Sequence, residues 1–166
     1  MTMLEVEKLC PNVTLPTKAT KHSACLDVAF HYPESSRHVT IYDNNNYMHI
    51  IGSLENKELV IPPGYRVMVP TALKFIIPRN HHIKVYSRSS MALKRGLIMV
   101  NSVGIIDEDF DFELKVLLMN ISDTTVTLVE GERIAQIELC QNQSLPILWD
   151  IGGNAERTGG YGSSGK

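Results

Sequence analysis

Apolar and polar positions follow one another in short runs through most of the chain, and the runs favour strands over helices. Val60-Ile61, Tyr65 to Pro70 and Leu73 to Pro78 are short β-type stretches punctuated by Pro and Gly. Ile83-Lys84-Val85-Tyr86, Leu114 to Asn120 and Val126 to Leu139 continue the rhythm. β-branched and aromatic residues in short runs between turn residues suit a half-buried pleated surface. No stretch between Leu59 and Pro78 carries long helical periodicity with caps. Pro11 and Pro16 keep that part of the chain extended, because proline cannot donate to a helical ladder. Val39 to Tyr42 and Tyr47 to Ile51, joined by Asp43-Asn44-Asn45-Asn46, read as a hairpin with a polar turn. The pattern predicts an all-β domain, a barrel or sandwich. Residues 31–58 are expected as a surface insertion on it.

Met99 to Glu113 carries more chemistry than the rest. Val103, Ile105 and Ile106 flank Gly104, and these apolar runs predict a hairpin whose glycine lets a flat ligand approach the backbone. Asn101 at one end offers donor and acceptor together, Asp107 at the other a carboxylate, and Phe110 an aromatic plate. Amide, carboxylate and ring suit a nucleoside: edge recognition, a base, and a stacking surface. Upstream, Ser87-Arg88-Ser89-Ser90 suits an anion. A guanidinium forks onto phosphate oxygens, and small hydroxyl residues let backbone amides reach the same group.

Size and charge narrow the field. At 166 residues the chain makes one domain with a sizeable core, and its net charge of -2 argues against a broad nucleic-acid footprint. An anionic ligand must then be gripped by a local cluster of Arg and amides. No apolar run reaches membrane-spanning length and the N-terminus lacks the apolar core of a signal peptide. A cytoplasmic protein is expected, or one of the nucleus or host cytoplasm for a eukaryotic or viral source. Cys10, Cys25 and Cys140 are odd in number and widely spaced, which fits reduced thiols better than disulfides or zinc.

Several tempting motifs fail. His81 and His82 are adjacent on a strand and point to opposite faces, with no third ligand near in sequence. Asp107-x-Asp109-x-Asp111 could begin a calcium loop, but Phe112 and Leu118 stand where glycine and glutamate are required. Gly160 to Lys166 fits a P-loop spacing, yet no Ser or Thr follows the Lys and no helix does either.

Taken in order, the chain resembles the trimeric dUTPase family at five motifs. These are Ala19 to Val28, Ser87 to Ala92, Asn101 to Phe110, Gly131 to Ile137, and the Gly-rich tail from Glu156 to Lys166. The resemblance implies a jelly-roll-like β-barrel over residues 1–150, and a C-terminal arm, 151–166, that orders over bound nucleotide. It implies a homotrimer with active sites at subunit junctions. The implied reaction is hydrolysis of dUTP to dUMP and pyrophosphate, which keeps uracil out of DNA and supplies dUMP for dTMP synthesis. Asp107 would be the general base. Arg88, Ser89, Ser90, Gln136, Arg157, Ser163 and Ser164 would hold phosphates, with Mg²⁺ carried mainly by the triphosphate and its waters. Asn101, Gly104, Ile106, Phe110 and Tyr161 would hold uracil and deoxyribose. Asp27 and Arg133 would support the site, and are expected to pair. The sequence departs from the family pattern at Cys25, usually Gly, at Phe110, usually Tyr, and at Asp111-Phe112, usually a small or basic residue then Gly. The spacing from Arg157 to Gly159-Gly160 is also shorter than in many members.

Two other readings stand beside this one. The dCTP deaminases share the fold and an Arg-Ser-Ser segment, but carry a catalytic Glu ten residues after the motif Asp, where this chain has Leu117. A non-enzymatic jelly-roll trimer with a regulatory binding role is the alternative of a different class; intact Asp107, Arg88 and Arg157 speak against it.

Overall fold

The computed structural model describes residues 3–32, 39–51 and 55–143. The short strands are β1 (Glu5–Lys8), β2 (Leu26–Ala29), β3 (Val39–Tyr42), β4 (Met48–Ile51) and β5 (Glu58–Ile61). They precede the long β6 (Arg66–Ile76) and β7 (His81–Ser87), a short helix α1 (Ser89–Arg95), and β8 (Leu97–Met99). The chain continues through β9 (Val103–Ile106), β10 (Glu113–Asn120), β11 (Val126–Val129) and β12 (Arg133–Gln141). One sheet runs β4-β3-β6-β10-β8, with β1 also on β6; a second runs β2-β12-β7-β9; a third pairs β11 with β5. The all-β reading holds, and the β3–β4 hairpin forms with the expected polar turn.

Alternation decides which face each strand buries. In β10, Leu114, Val116, Leu118 and Asn120 point inward, while Lys115, Leu117 and Met119 point outward. Leu59 and Ile61 of β5, Ile83 of β7 and Ile134 and Ile137 of β12 meet them in one core with Val28 and Phe30. Each such side chain contributes about 1.5–3 kcal/mol by leaving water. Asn120 is the polar exception, and it is fully satisfied. Its amide donates to the Ile61 carbonyl at 2.9 Å and the Thr124 carbonyl at 2.7 Å, and its oxygen accepts from Ser122. A buried amide with every partner present fixes the turn after β10.

β6 bends where Ala72 takes φ 51°. There Thr71 donates to the Leu114 carbonyl at 2.6 Å, the Ala72 amide donates to the Glu113 carboxylate at 2.8 Å, and the β10 register shifts. The bulge turns one end of the first sheet and sets Glu113 and Lys115 beside the loop 107–112.

Two local expectations differ from the outcome. The stretch 99–113 is not a hairpin: Met99 belongs to β8, which pairs β10, whereas 103–106 pairs β7 in the other sheet. The chain bends between sheets at 100–102, with Ser102 at φ 60°. Both strands found better partners elsewhere, which period-two patterning cannot reveal. Residues 89–95 form a helix of a little under two turns, closed by Gly96 in the left-handed conformation that glycine tolerates.

Candidate active site

The first three strands of the second sheet, β2, β12 and β7, carry one part of the site. β12 places Gln136 opposite Tyr86 of β7 and beside Asp27 of β2. The Gln136 amide donates to the Ser87 carbonyl at 2.9 Å. Arg88 follows at the start of α1. Its Nε donates to Asp27 Oδ1 at 3.0 Å and its Nη1 to the Arg133 carbonyl at 2.9 Å. Arg133 donates to the other oxygen, Asp27 Oδ2, at 2.9 Å, so Asp27 and Arg133 do pair. Asp27, only 9% exposed, thus holds two guanidiniums, one from each of the second and fourth motifs. Ser89 and Ser90 occupy the first turn of α1 beside this cluster.

The other end of α1 is tied down as well, by a residue the sequence reading did not single out. Arg95 donates to the Glu132 carboxylate and to the Thr127 carbonyl, and the second Glu132 oxygen accepts from the Val129 amide. Both ends of α1 are therefore pinned to the turn that opens β12. Partners so far apart along the chain leave no local signature. Glu130 in the same turn pairs with His31 at 2.9 Å and Lys57 at 2.9 Å.

The second part of the site is a cleft of about 500 Å³. Asn101, Gly104, Ile105, Ile106 and Phe110 line one side, and Met68, Glu113, Lys115 and Leu117 the other. Gly104 is packed closely here: a Cβ would stand 3.2 Å from the Val85 side chain. Asp107 follows Ile106 at the rim, and its carbonyl accepts from the Phe110 amide at 3.1 Å, turning the ring toward the cleft. Phe112, a departure from the family pattern, meets Phe110 edge to face at 5.6 Å between centroids. The loop is held from outside. Lys74 lies 2.5 Å from Asp111, which raises the Lys74 pKa, and Glu108 accepts from the Asn80 amide at 2.5 Å.

These two parts do not meet within one chain. In the β7–β9 pair Ile83 faces Ile106 and Tyr86 faces Val103. Asp107 therefore lies level with His82, whereas Arg88 lies beyond Ser87 at the opposite end of β7. Six residues of strand separate them, about 20 Å. Arg157, Tyr161, Ser163 and Ser164 lie outside the described residues. The histidines are occupied apart from each other: His81 bonds the Arg79 carbonyl and His82 the Asn142 side chain. Cys25 and Cys140 are free thiols, each pushed to higher pKa mainly by burial, with Glu138 adding to it. Among the described residues no helix is long and apolar enough to cross a membrane.

Comparison with known proteins gives this arrangement its context. The dUTPase family model matches residues 54–165, which takes in the second to fourth motifs and all but the last residue of the fifth, and leaves the first outside the match. The deoxyuridine 5'-triphosphate nucleotidohydrolase of Mesorhizobium japonicum is 39% identical over 118 residues, 67% of this chain and 70% of that protein. That of a Hydrogenobaculum strain is 36% identical over 109 residues, 64% of this chain and 76% of the relative. In fold, a mutant dUTPase of Staphylococcus bacteriophage 80alpha, solved with dUpNHpp, superposes with a TM-score of 0.68 at 19% identity, covering all of both chains. With a family model spanning more than half of its length, this chain belongs to the dUTPase family.

Proposed function

We propose that this chain hydrolyses dUTP to dUMP and pyrophosphate in sites completed between copies of itself, three to an assembly. One observation carries the second clause: Asp107 and Arg88 lie about 20 Å apart along β7. A base and a phosphate clamp acting on one α-phosphate must lie within a few ångströms of it. One chain cannot supply both, whereas the Arg88 end of a neighbouring copy can reach the Asp107 end of this one. Membership of the family and the relatives' names support the reaction.

In such a site uracil enters the cleft beside Gly104. There the backbone edge and the Asn101 amide match its alternating acceptors and donor. Cytosine inverts the pattern at N3 and at position 4 and would leave polar groups unpaired, which makes rejection strong. Phe110, buttressed by Phe112, lies against the sugar. Asp107 takes the proton of a water that attacks the α-phosphorus, and the bond to the β-phosphate oxygen breaks to release pyrophosphate.

Arg88, Ser89, Ser90 and Gln136 of the neighbouring copy hold the phosphates and stabilise the charge that builds during attack. Arg88 reaches them pre-aimed, because Asp27 and the Arg133 carbonyl fix its guanidinium while other N–H groups stay available. Arg157, Ser163, Ser164 and Tyr161 on the arm complete the enclosure, as the family resemblance implies. Among the described residues no three His, Cys, Asp or Glu side chains converge, and both Asp27 oxygens are taken up by arginines. This donor set fits Mg²⁺ bound through the triphosphate and water. When bound, the ion neutralises triphosphate charge.

A substrate panel tests the reading. Pyrophosphate release from dUTP should exceed that from dCTP by about 10⁴-fold or more, the range seen when a site built to pair a polar edge meets the wrong one, and that from dTTP and UTP, which share the uracil edge, by a smaller factor of about 10–200-fold. No release from dUTP, or ammonia from dCTP, would overturn it.

A further inference from the structure

The hairpin β3–β4 lies before residue 54, where the family match begins, and the proposed chemistry gives it no task. Its register shows what it adds. Met48 faces Tyr42, Tyr42 faces Arg66, and Arg66 faces Met119. One step along, Ile50 faces Thr40, Thr40 faces Met68, and Met68 faces Leu117. Ile41, Val67 and Leu118, which alternate with them, are buried in the core, so both rows lie on the outer face of the sheet. The hairpin thus extends an outward strip, mostly apolar, onto two more strands, and its own contribution is the barest part. Met48 is 55% and Ile50 60% exposed.

The strip offers little for a charged partner. The Arg66 guanidinium is drawn into the hairpin, donating to Asn46 Oδ1 at 2.6 Å and the Asp43 carbonyl at 3.3 Å, with the Tyr42 ring 5.6 Å away. A second hollow, about 260 Å³, opens between Tyr42, Arg66 and Val100. Met68 and Leu117 line both this hollow and the cleft that holds Asn101 and Phe110. The strip is therefore continuous with the wall of the nucleotide cleft.

We infer that the outer face of the β3–β4 hairpin, with the Met68–Leu117 strip, is covered by a second copy of this chain, the copy that brings Arg88 to this chain's Asp107. The inference rests on the shared-site reading. A copy reaching over the cleft must come down beside Met68 and Leu117, and the hairpin extends the same apolar surface at the sheet edge. Exposed apolar surface of this continuity is the mark of an interface. The insertion then widens the contact between copies and couples nucleotide hydrolysis to its integrity.

The test uses the full chain. Light scattering across a dilution series gives the concentration at which copies assemble, and dUTP hydrolysis is read in the same samples. Met48→Asp/Ile50→Asp should raise that concentration about tenfold or more, with activity lost on dilution and recovered at high protein concentration. A photo-crosslinking benzoylphenylalanine in place of Met48, in an otherwise unaltered chain, should join one copy to another. This second measurement decides the matter even where the double variant folds poorly. An assembled wild type whose hairpin variant assembles equally well, or whose position-48 probe never links two copies, overturns the inference alone and leaves the face to a different partner. A wild type that hydrolyses dUTP as a monomer overturns the shared-site reading and this inference together.

Discussion

Asp27 binds Arg88 and Arg133 through its two separate oxygens, at 3.0 and 2.9 Å, so one carboxylate on β2 joins the start of α1 to the start of β12. In the proposed site this fork would let a chain of net negative charge present an arginine to an anion. The guanidinium is oriented before any ligand arrives, and little side-chain entropy is then lost on binding. Asp107 stands at the far end of the β7–β9 pair, about 20 Å from Arg88.

Replacing Asp107 by Asn should leave nucleotide binding intact and slow turnover. The amide keeps the shape and loses the base. kcat for dUTP should fall about 10²–10⁴-fold, while a non-hydrolysable analogue binds within a few-fold of wild type. Single-turnover kinetics with calorimetry on the analogue check both halves.

Arg95 should act as a positioning residue, since it fixes the C-terminal end of the helix whose N-terminal end carries Arg88. Arg95→Gln is expected to lower kcat/KM about 10–100-fold by letting α1 drift, while Arg95→Lys restores part of the loss. Lysine keeps the charge without the fork that reaches both Glu132 and the Thr127 carbonyl. Paired kcat/KM and Tm measurements separate misplacement from unfolding: the loss in rate should exceed anything the Tm shift explains.

Much of the fold is legible in the sequence. The inward set of β10 follows directly from its alternation, and the polar turn of β3–β4 from four successive Asp and Asn residues. The expected pairing of Asp27 with Arg133 is also present. What the sequence hid is non-local. Residues 99–113 read as a hairpin because the runs around Gly104 are strand-like; that 97–99 and 103–106 join different sheets depends on β10 and β7, which pair with them. α1 leaves no clear pattern, because seven residues headed by two serines carry too little periodicity. Arg95 and Glu132 are ordinary surface residues until the fold brings them together. Phe112 stands out in the sequence only as a departure from the family pattern, and the fold sets it edge-on to Phe110.

The hairpin should be acid-sensitive. Burial works to raise the Asp43 pKa, but hydrogen bonds from His49 and from the Tyr47 and Asn45 amides outweigh it, and the pKa lies below the ordinary 3.8. A depressed carboxylate stabilises the fold above its unfolded pKa and loses that contribution as pH falls through the folded value. The turn should therefore hold fully at neutral pH and loosen below pH 3.8. Asp43→Asn should remove this acid step while keeping the turn formed. Amide exchange at Asn45 and Tyr47 against pH reads it.

The most direct measurement mixes two inactive variants. Asp107→Asn keeps its Arg88, and Arg88→Ala keeps its Asp107; each alone should be nearly inactive. Co-refolded in equal amounts, random assembly places an intact Asp107 opposite an intact Arg88 in about a quarter of the shared sites, and dUTP hydrolysis should return to about that fraction of wild type. A mixture no more active than its components would place both residues in the site of a single chain and contradict the account.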